Sequence, residues 1–424
     1  MLGTKGRPAG MRAVRAIARI LAIATMAAAC ASPLRAGDDL TALARLDPAA
    51  SGLADTASGG VTLDLALSQP VPFRVFLLAD PPRLVIDFSE LDFGPSRAEA
   101  LDRSAAVTRF GWGLIRPGWS RLVAELDGPY RIRLAGMQTS ATGEAALNVT
   151  LDPASATDFA ALAANAPADT GRWSFPAAAA VTEAKRRQTG EAPLVVVIDP
   201  GHGGIDPGAE AGDMVEADIM LTFARELAES LRRAGMTAVL TRERDEFVPL
   251  ETRISLARDA GADVFLSLHA DSLPEGEATG ATIYRMDETA SDTASARLAE
   301  RHDRADLLAG VDLAGQDDVL AGVMMDLART ETRPRGNRLA SEIVAALGAA
   351  GIKTHRHPIQ QAAFSVLKSP DIPSLLIETG FLSSRKDRER LNDPVWRAAL
   401  QSAIESALEK WAVADAAEAR LLRR

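Results

Sequence analysis

The sequence predicts an α/β domain with a mostly parallel sheet flanked by helices, preceded by a small all-β sandwich domain. Two observations support this division. Short apolar or alternating runs separated by Pro, Gly and Asp fill residues 61–151, which is typical of a β sandwich. From residue 193 onward, apolar runs of strand length alternate with stretches of helical periodicity, as expected for a sheet covered by helices on both faces.

The first 36 residues have the pattern of a secretory signal peptide. Basic residues precede an apolar stretch over residues 20–31, and small residues surround a candidate cleavage point after Ala36. That stretch is shorter than the ~20 residues of a membrane span, so we expect no transmembrane segment in the mature chain. Cys30 is the only cysteine. Ala27 does not fit the leucine usual in lipoprotein signals, which favours removal of Cys30 with the signal over lipid attachment.

The composition argues against nucleic-acid binding, and the predicted β domain has no residues that suggest catalysis. The formal net charge is −10 and the pI is about 5.2, so no electrostatic footprint for nucleic acid is present. Residues 60–152, the predicted β domain, contain no cluster of His, Cys or paired carboxylates, which indicates a binding module or a spacer. Residues 153–192 are rich in Ala and contain Pro, as in an interdomain linker.

Residues 193–413 contain the alternating elements. Strands are predicted at 195–198, 237–241, 264–269, 281–285 and 375–378, and helices at 220–231, 250–260, 337–347 and 394–411. An insert at residues 287–334 departs from this alternation, because it holds two candidate helices, 294–308 and 317–330, with no strand between them. Loops of this length inside a compact domain are uncommon and usually functional.

Two of the five histidines follow predicted buried strands. His202 lies just after the strand that begins at residue 195, and His269 ends a later one. Because ligands gather at the carboxyl ends of parallel strands, we expect both imidazoles at one edge of the sheet. Glu216, at the start of the next helix, is the best placed carboxylate, whereas Asp218 would point elsewhere. Two histidines and one glutamate form an established zinc ligand set that leaves a fourth position open.

A second glutamate indicates catalysis. Glu378 ends the predicted strand at 375–378 and is followed by Thr379 and Gly380. A carboxylate at the end of a buried strand has no evident structural reason to be there. Hydrolysis at a zinc site needs a group that takes a proton from water and passes it to the leaving nitrogen. The sequence therefore predicts Glu378 as the catalytic residue.

The segments that carry these residues resemble the zinc-dependent N-acetylmuramoyl-L-alanine amidases of bacterial cell walls. The similar segments are residues 198–204, 206–209, 241–245, 250–253, 267–270 and 377–383. The resemblance implies Zn²⁺ as cofactor, His202, Glu216 and His269 as its ligands, and Glu378 as the catalytic glutamate, in agreement with the choice made from the residues. Two positions depart from the family pattern, because Asp271 and Ser384 stand where Asn is common.

Two further regions resemble parts of the division-associated members of this family. Residues 60–152 are similar to the AMIN module that anchors such enzymes to the envelope, and residues 287–334 to their regulatory insert. In those relatives a helix covers the zinc cleft until a LytM-domain activator displaces it. Glu300, on the predicted helix 294–308, is our candidate for the blocking residue. Asp303 and Asp306 are alternatives, and Glu300 as a solvated helix charge is another.

The resemblance implies a periplasmic enzyme that binds peptidoglycan and hydrolyses the amide bond between N-acetylmuramic acid and L-alanine. Cell-wall remodelling and daughter-cell separation would be its role. Two alternatives stay open at this point. A zinc peptidase is disfavoured because the chain lacks a His-Glu-x-x-His helix. An inactive wall-binding protein is disfavoured because all four chemical residues are present.

Overall fold

The computed structural model describes residues 43–94, 98–116, 118–140, 142–167, 173, 185, 187–273, 278–308 and 322–422. For residues 99, 303–308, 322–329 and 422 only the backbone is described. The expected signal peptide, much of the expected linker and residues 309–321 of the insert lie outside this part of the chain. In the described residues no helix combines the length and the apolar composition that a membrane span requires.

The β domain consists of two sheets packed face to face. Its strands are β1 (Ala44–Asp55), β2 (Val61–Leu67), β3 (Phe73–Leu78), β4 (Arg83–Ser89), β5 (Leu91–Asp92), β6 (Asp102–Arg103), β7 (Val107–Arg116), β8 (Trp119–Leu126), β9 (Tyr130–Thr139) and β10 (Ala145–Pro153), with a short 3-10 helix at Ala98–Ala100. One sheet has the order β5-β1-β2-β10-β9, with β6 paired to β1, and the other has the order β3-β4-β8-β7. Alternate residues of both sheets fill a common apolar core.

Strand β1 begins before the expected domain boundary at residue 60. Its register with β2 shifts between Asp47 and Gly52, so its inward and outward positions do not alternate evenly along the sequence. The expected linker also contains structure, because helix α1 (Ala156–Ala163) buries Phe159 in the β-domain core. The hydroxyl of Ser155 caps this helix by accepting a hydrogen bond from the Asp158 N–H.

The α/β domain has a six-stranded sheet covered by helices. Its elements are β11 (Val195–Pro200), β12 (Glu210–Ala211), β13 (Met214–Val215), α2 (Glu216–Arg233), β14 (Thr237–Leu240), α3 (Leu250–Asp259), β15 (Val264–His269), β16 (Ala281–Met286), α4 (Thr293–Leu308), α5 (Gly322–Ala349), β17 (Thr354–Ala362), a 3-10 helix (Ser365–Leu367), β18 (Ser374–Glu378), α6 (Arg385–Asn392) and α7 (Pro394–Leu422). The strand order is β14-β11-β15-β18-β16-β17. Helix α2 packs a buried stripe against this sheet and α7.

Two features of the sheet differ from the expectation. Strand β16 runs antiparallel to β18, because residues 270–280, which connect β15 to β16, are too few for the crossover that a parallel strand requires. Strand β17 was not predicted, since Thr354–Ala362 has few apolar residues and lies at the edge of the sheet. The remaining pairs, β11 with β14 and β15, β15 with β18, and β16 with β17, are parallel.

Helix α5 differs from the two separate helices that were expected at 317–330 and 337–347. It continues through Pro334, which removes one helical hydrogen bond and would ordinarily end or kink a helix. Contacts with α7 hold the segment after this proline. The carbonyl of Arg335 accepts a hydrogen bond from Trp411 Nε1, and its guanidinium pairs with the buried Asp415. Tertiary packing therefore outweighs the local effect of the proline.

Candidate active site and metal centre

The carboxyl ends of three adjacent parallel strands bring the predicted site residues together. His269 on β15 and Glu378 on β18 are direct partners in the sheet register, and β11 leads into the loop that carries His202. His269 is 5% exposed, and Glu378 is fully buried. The strand ends thus place a histidine and a catalytic candidate side by side, as the sequence suggested.

Glu216 contacts both predicted histidine ligands. As the first residue of α2 it is fully buried, and its Oε1 lies 3.2 Å from His202 Nε2 and 3.1 Å from His269 Nδ1. The same oxygen accepts a hydrogen bond from the Ala270 N–H at 2.9 Å, while Oε2 accepts one from the Ala209 N–H at 2.8 Å. Backbone donors therefore fix this carboxylate between the two imidazoles.

Two buried arginines hold the backbone that leads to His202. Arg242 donates hydrogen bonds to the carbonyls of Pro200 at 3.0 Å and Gly201 at 2.8 Å. Arg253 donates to the carbonyls of Pro200 and His202, both at 2.9 Å. His202 has a φ of 59°, a left-handed conformation that costs an ordinary residue about 1–2 kcal/mol. Both arginines lie in segments that resemble the amidase family, but the sequence alone does not explain why they are there. In the structure they hold the backbone that leads to His202.

The charges around the two histidines shift their pKa values in opposite directions. Burial lowers the pKa of His202, but the carboxylates of Asp206 and Glu216 outweigh burial and raise it well above its usual range. Asp206 Oδ2 lies 2.6 Å from His202 Nδ1. Burial, followed by the charge of His302, lowers the pKa of His269 to about 4. His269 is therefore neutral at physiological pH, the form in which an imidazole binds a metal ion.

Glu378 lies in an environment that disfavours its charged form, unlike a glutamate on the protein surface. Burial, together with the charges of Glu216 and Asp271, raises the pKa of Glu378 well above its usual range. Its Oε2 accepts a hydrogen bond from the Asp271 N–H at 3.0 Å. A raised pKa favours the protonated carboxyl group, the form that a general acid needs in order to deliver a proton.

Helix α4 adds a third histidine to the cluster. His302 is 4% exposed, and its ring centroid lies 4.1 Å from that of His269 and 5.6 Å from that of His202. Its Nε2 lies 3.4 Å from Asp271 Oδ2. Candidate ligand atoms of His202, His269 and His302 lie within 4.8 Å of one another, as do those of Asp271, His302 and Glu378.

The structure does not bring Glu300 to this cluster, which corrects our expectation for the blocking residue. Glu300 is exposed to solvent, whereas His302 faces the site. Two residues along an α-helix differ in direction by about 200°, so only one of these two side chains can face inward. The side chains of Asp303 and Asp306 lie outside the described residues. The sequence did offer a signal for His302, because it is one of only five histidines and lies on the helix already singled out.

Neighbouring polar groups attach α4 to the rim of the cluster. Arg301 donates a hydrogen bond to the Ser272 carbonyl at 2.6 Å and a longer one to Asp271 Oδ1 at 3.3 Å. Asp271 thus contacts consecutive residues of α4 with its two carboxylate oxygens. It is also one of the two positions where the sequence departs from the pattern of similar proteins.

The donor set fits a bound zinc ion. His202 Nε2, both ring nitrogens of His302 and Glu378 Oε1 are buried and have no hydrogen-bond partner among the described residues. An unpaired buried polar atom costs about 1–3 kcal/mol, so His202 Nε2, which lies in a cluster of candidate ligand atoms, indicates a bound partner such as a metal ion. Of the three predicted ligands, His202 and His269 offer imidazole nitrogens and Glu216 offers a carboxylate oxygen, the kinds of donor that zinc takes in hydrolases.

Comparison with known proteins gives a family match for each of the two domains. The sequence profile of the N-acetylmuramoyl-L-alanine amidase family (Amidase_3) matches residues 196–410, and that of the AMIN domain matches residues 53–147. N-acetylmuramoyl-L-alanine amidase AmiA of Escherichia coli (strain K12) is 38% identical over 50% of this chain and 73% of its own length. N-acetylmuramoyl-L-alanine amidase AmiC of Escherichia coli O6:H1 is 28% identical over 86% of this chain and 89% of its own. The chain therefore belongs to the Amidase_3 family of N-acetylmuramoyl-L-alanine amidases and has an AMIN domain before its catalytic domain.

Proposed function

We propose that the chain is a periplasmic zinc amidase that hydrolyses the bond between N-acetylmuramic acid and L-alanine in peptidoglycan. One observation carries the proposal: His202, Glu216 and His269 converge beside the buried Glu378 at the carboxyl ends of adjacent strands. These three residues would hold the zinc ion. When bound, zinc polarises a carbonyl oxygen and lowers the pKa of water to about 7.

The residues of the chain supply the proton transfer and the fixed geometry. Glu378 would take a proton from the attacking water and deliver it to the leaving nitrogen, for which its raised pKa is suited. The Asp271 N–H holds one oxygen of this carboxyl group, while Oε1 has no hydrogen-bond partner among the described residues. Asp206 holds His202 through its Nδ1 and leaves Nε2 for the metal.

The remaining segments complete the proposal. Residues 1–36 would be a secretory signal, residues 60–152 the core of an envelope-binding AMIN module, and residues 153–192 its connection to the catalytic domain at 193–413. The similarity to N-acetylmuramoyl-L-alanine amidase AmiC along 86% of the chain supports amidase activity. A role in cell-wall remodelling and daughter-cell separation is proposed from the resemblance to the division-associated members of the family. The net charge of −10 gives no support to a nucleic-acid partner.

Digestion of purified peptidoglycan by the full chain tests this function. We expect stem peptides with a free L-alanine amino group, identified by mass spectrometry, and we expect a chelator to abolish their release and added zinc to restore it. Cleavage between amino acids of the stem would instead support the zinc peptidase. Binding to peptidoglycan without any cleavage, in the wild type and in the variants of α4 described next, would support the inactive wall-binding protein.

We also propose that helix α4 is an autoinhibitory lid and that His302, in place of Glu300, is its blocking residue. His302 is the side chain of α4 that faces His202 and His269, and imidazole is a good zinc ligand. Arg301 would hold the lid through Asp271 and the Ser272 carbonyl. A LytM-domain activator would draw the insert at 287–334 away from the cleft, shifting the balance between two states that differ by a few kcal/mol.

Substitutions on α4 separate these roles. Arg301→Ala and His302→Ala should each raise basal hydrolysis of soluble muropeptides about tenfold or more, because a lid held by a few kcal/mol is open only in a small fraction of molecules. Glu300→Ala is the matched control and should leave the basal rate unchanged. Zinc content, measured in all three variants, excludes loss of metal as the cause. An increase in Glu300→Ala alone, or in none of the folded variants, would contradict the assignment.

A further inference from the structure

Backbone contacts join the β domain to two loops of the catalytic domain, the loop that carries His202 and the neighbouring loop that carries Phe247. The Phe247 N–H donates a hydrogen bond to the Leu114 carbonyl of β7 at 2.8 Å. A Cβ atom at Gly113 would lie 2.2 Å from Ile205 N, and one at Gly204 would lie 2.1 Å from the Leu114 carbonyl oxygen. These distances are too short for any side chain, so the two backbones approach this closely only because both positions are glycine.

Apolar packing extends this contact over the outer face of the β3-β4-β8-β7 sheet. Ile205 packs against two clusters of buried side chains from this face and its surroundings: Ile115, Trp119 and Phe247 in one, and Phe76, Val85 and Val123 in the other. Ile205 is a residue of the catalytic domain, yet most of these neighbours belong to the β domain. The β domain therefore encloses one side of the turn formed by residues 203–206, which we call the His202 turn.

The His202 turn determines how the histidine is presented. The Gly203 N–H donates to the Asp206 carbonyl at 2.7 Å, and the Asp206 N–H donates back to Gly203 at 3.2 Å. This closed turn places Asp206 Oδ2 2.6 Å from His202 Nδ1. A partner on one ring nitrogen fixes the orientation of the other nitrogen toward a metal.

We infer that the β domain positions the His202 turn, with Gly113 and Leu114 as positioning residues for the metal site. The β domain then has a role in the catalytic centre besides any contact with the envelope. The inference rests on the proposed function, since it takes His202 to be a zinc ligand. Loosening the turn would free Asp206 and, through it, the His202 ring.

A pair of glycine substitutions on one strand tests this inference in the full chain. A Cβ at Gly113 meets the backbone of Ile205 and Gly204, whereas one at Gly111 meets no atom within 4 Å. We expect Gly113→Ala to speed hydrogen–deuterium exchange at Phe247 and in the His202 turn, and to weaken zinc affinity about tenfold, as loss of an outer partner of a ligand does. Gly111→Ala, the matched control, should change neither quantity.

The possible outcomes test the interdomain contact, the positioning role and the proposed function separately. Unchanged exchange in a folded Gly113→Ala variant would overturn the contact between the domains. Faster exchange with unaltered zinc affinity would overturn the positioning role but keep the contact. Failure of the wild-type chain to bind zinc would count against the proposed function, whereas the exchange comparison would still report on the contact. If Gly113→Ala does not fold, Ile115→Ala, which removes apolar contact with Phe247, replaces it and is judged by the same two measurements.

Discussion

Replacing Glu378 by glutamine is expected to lower turnover on soluble muropeptides by about 10²–10⁴-fold, the usual contribution of a general acid–base group. Glutamine keeps the shape of the side chain and an oxygen that accepts from the Asp271 N–H, but its amide cannot take up a proton. The rate should be measured with zinc in excess. We propose measuring it in the His302→Ala background, so that the lid does not limit either protein.

The same variant should keep its zinc, because Glu378 is not one of the three proposed ligands. Elemental analysis of purified Glu378→Gln is therefore expected to show the same zinc content as the parent protein, and thermal unfolding should show a folded chain. Retention of near-normal turnover would remove Glu378 from the mechanism. Loss of zinc together with turnover would instead make it part of the metal site.

The sequence was sufficient for the residues that lie on regular elements. Apolar runs that end in His269 and Glu378 indicate buried strands, and the carboxyl ends of parallel strands meet at one edge whatever the details of packing. Glu216 follows from the same argument, since it begins the helix after the His202 loop. The positions of these residues could therefore be predicted from hydrophobic periodicity and the topology of an α/β sheet.

The side of the cluster formed by α4 could not be predicted in this way. Both Glu300 and His302 lie on the same predicted helix, and the face that turns toward the site depends on how the helix docks. Docking is fixed by long-range contacts, such as that of Arg301 with Asp271 and Ser272, which no local pattern reveals. A carboxylate on this helix is a chemically suitable zinc ligand, but the geometry favours the imidazole of His302.

The contact between the two domains could not be predicted from the sequence either. A glycine such as Gly113 within a strand indicates a bulge or a close approach of another backbone, but the sequence does not say which backbone approaches. The early strand β1 and the continuous helix α5 were missed for a related reason. In both, the local sequence is irregular, and packing against neighbouring elements stabilises the structure.

A final prediction distinguishes the two acidic residues at the start of α2. Glu216→Gln is expected to lose most of its zinc and, with it, activity, whereas Asp218→Asn should retain both. Glu216 is fully buried between His202 and His269, while Asp218, two residues further along the helix, is exposed. Loss of a direct ligand should cost more than the ~10–100-fold in metal affinity that loss of an outer partner costs.

The isosteric change isolates the charge of Glu216 from its structural hydrogen bonds. One amide oxygen can still accept from the Ala270 N–H, but the group is neutral and binds zinc far more weakly than a carboxylate does. Zinc dissociation constants from competition with a chromogenic chelator, measured for both variants and the parent, give the comparison. Equal zinc affinity in Glu216→Gln and the parent would remove Glu216 from the ligand set. His302, which already faces His202 and His269, would then be the leading candidate for the third ligand, and His302→Ala should lose zinc in its place.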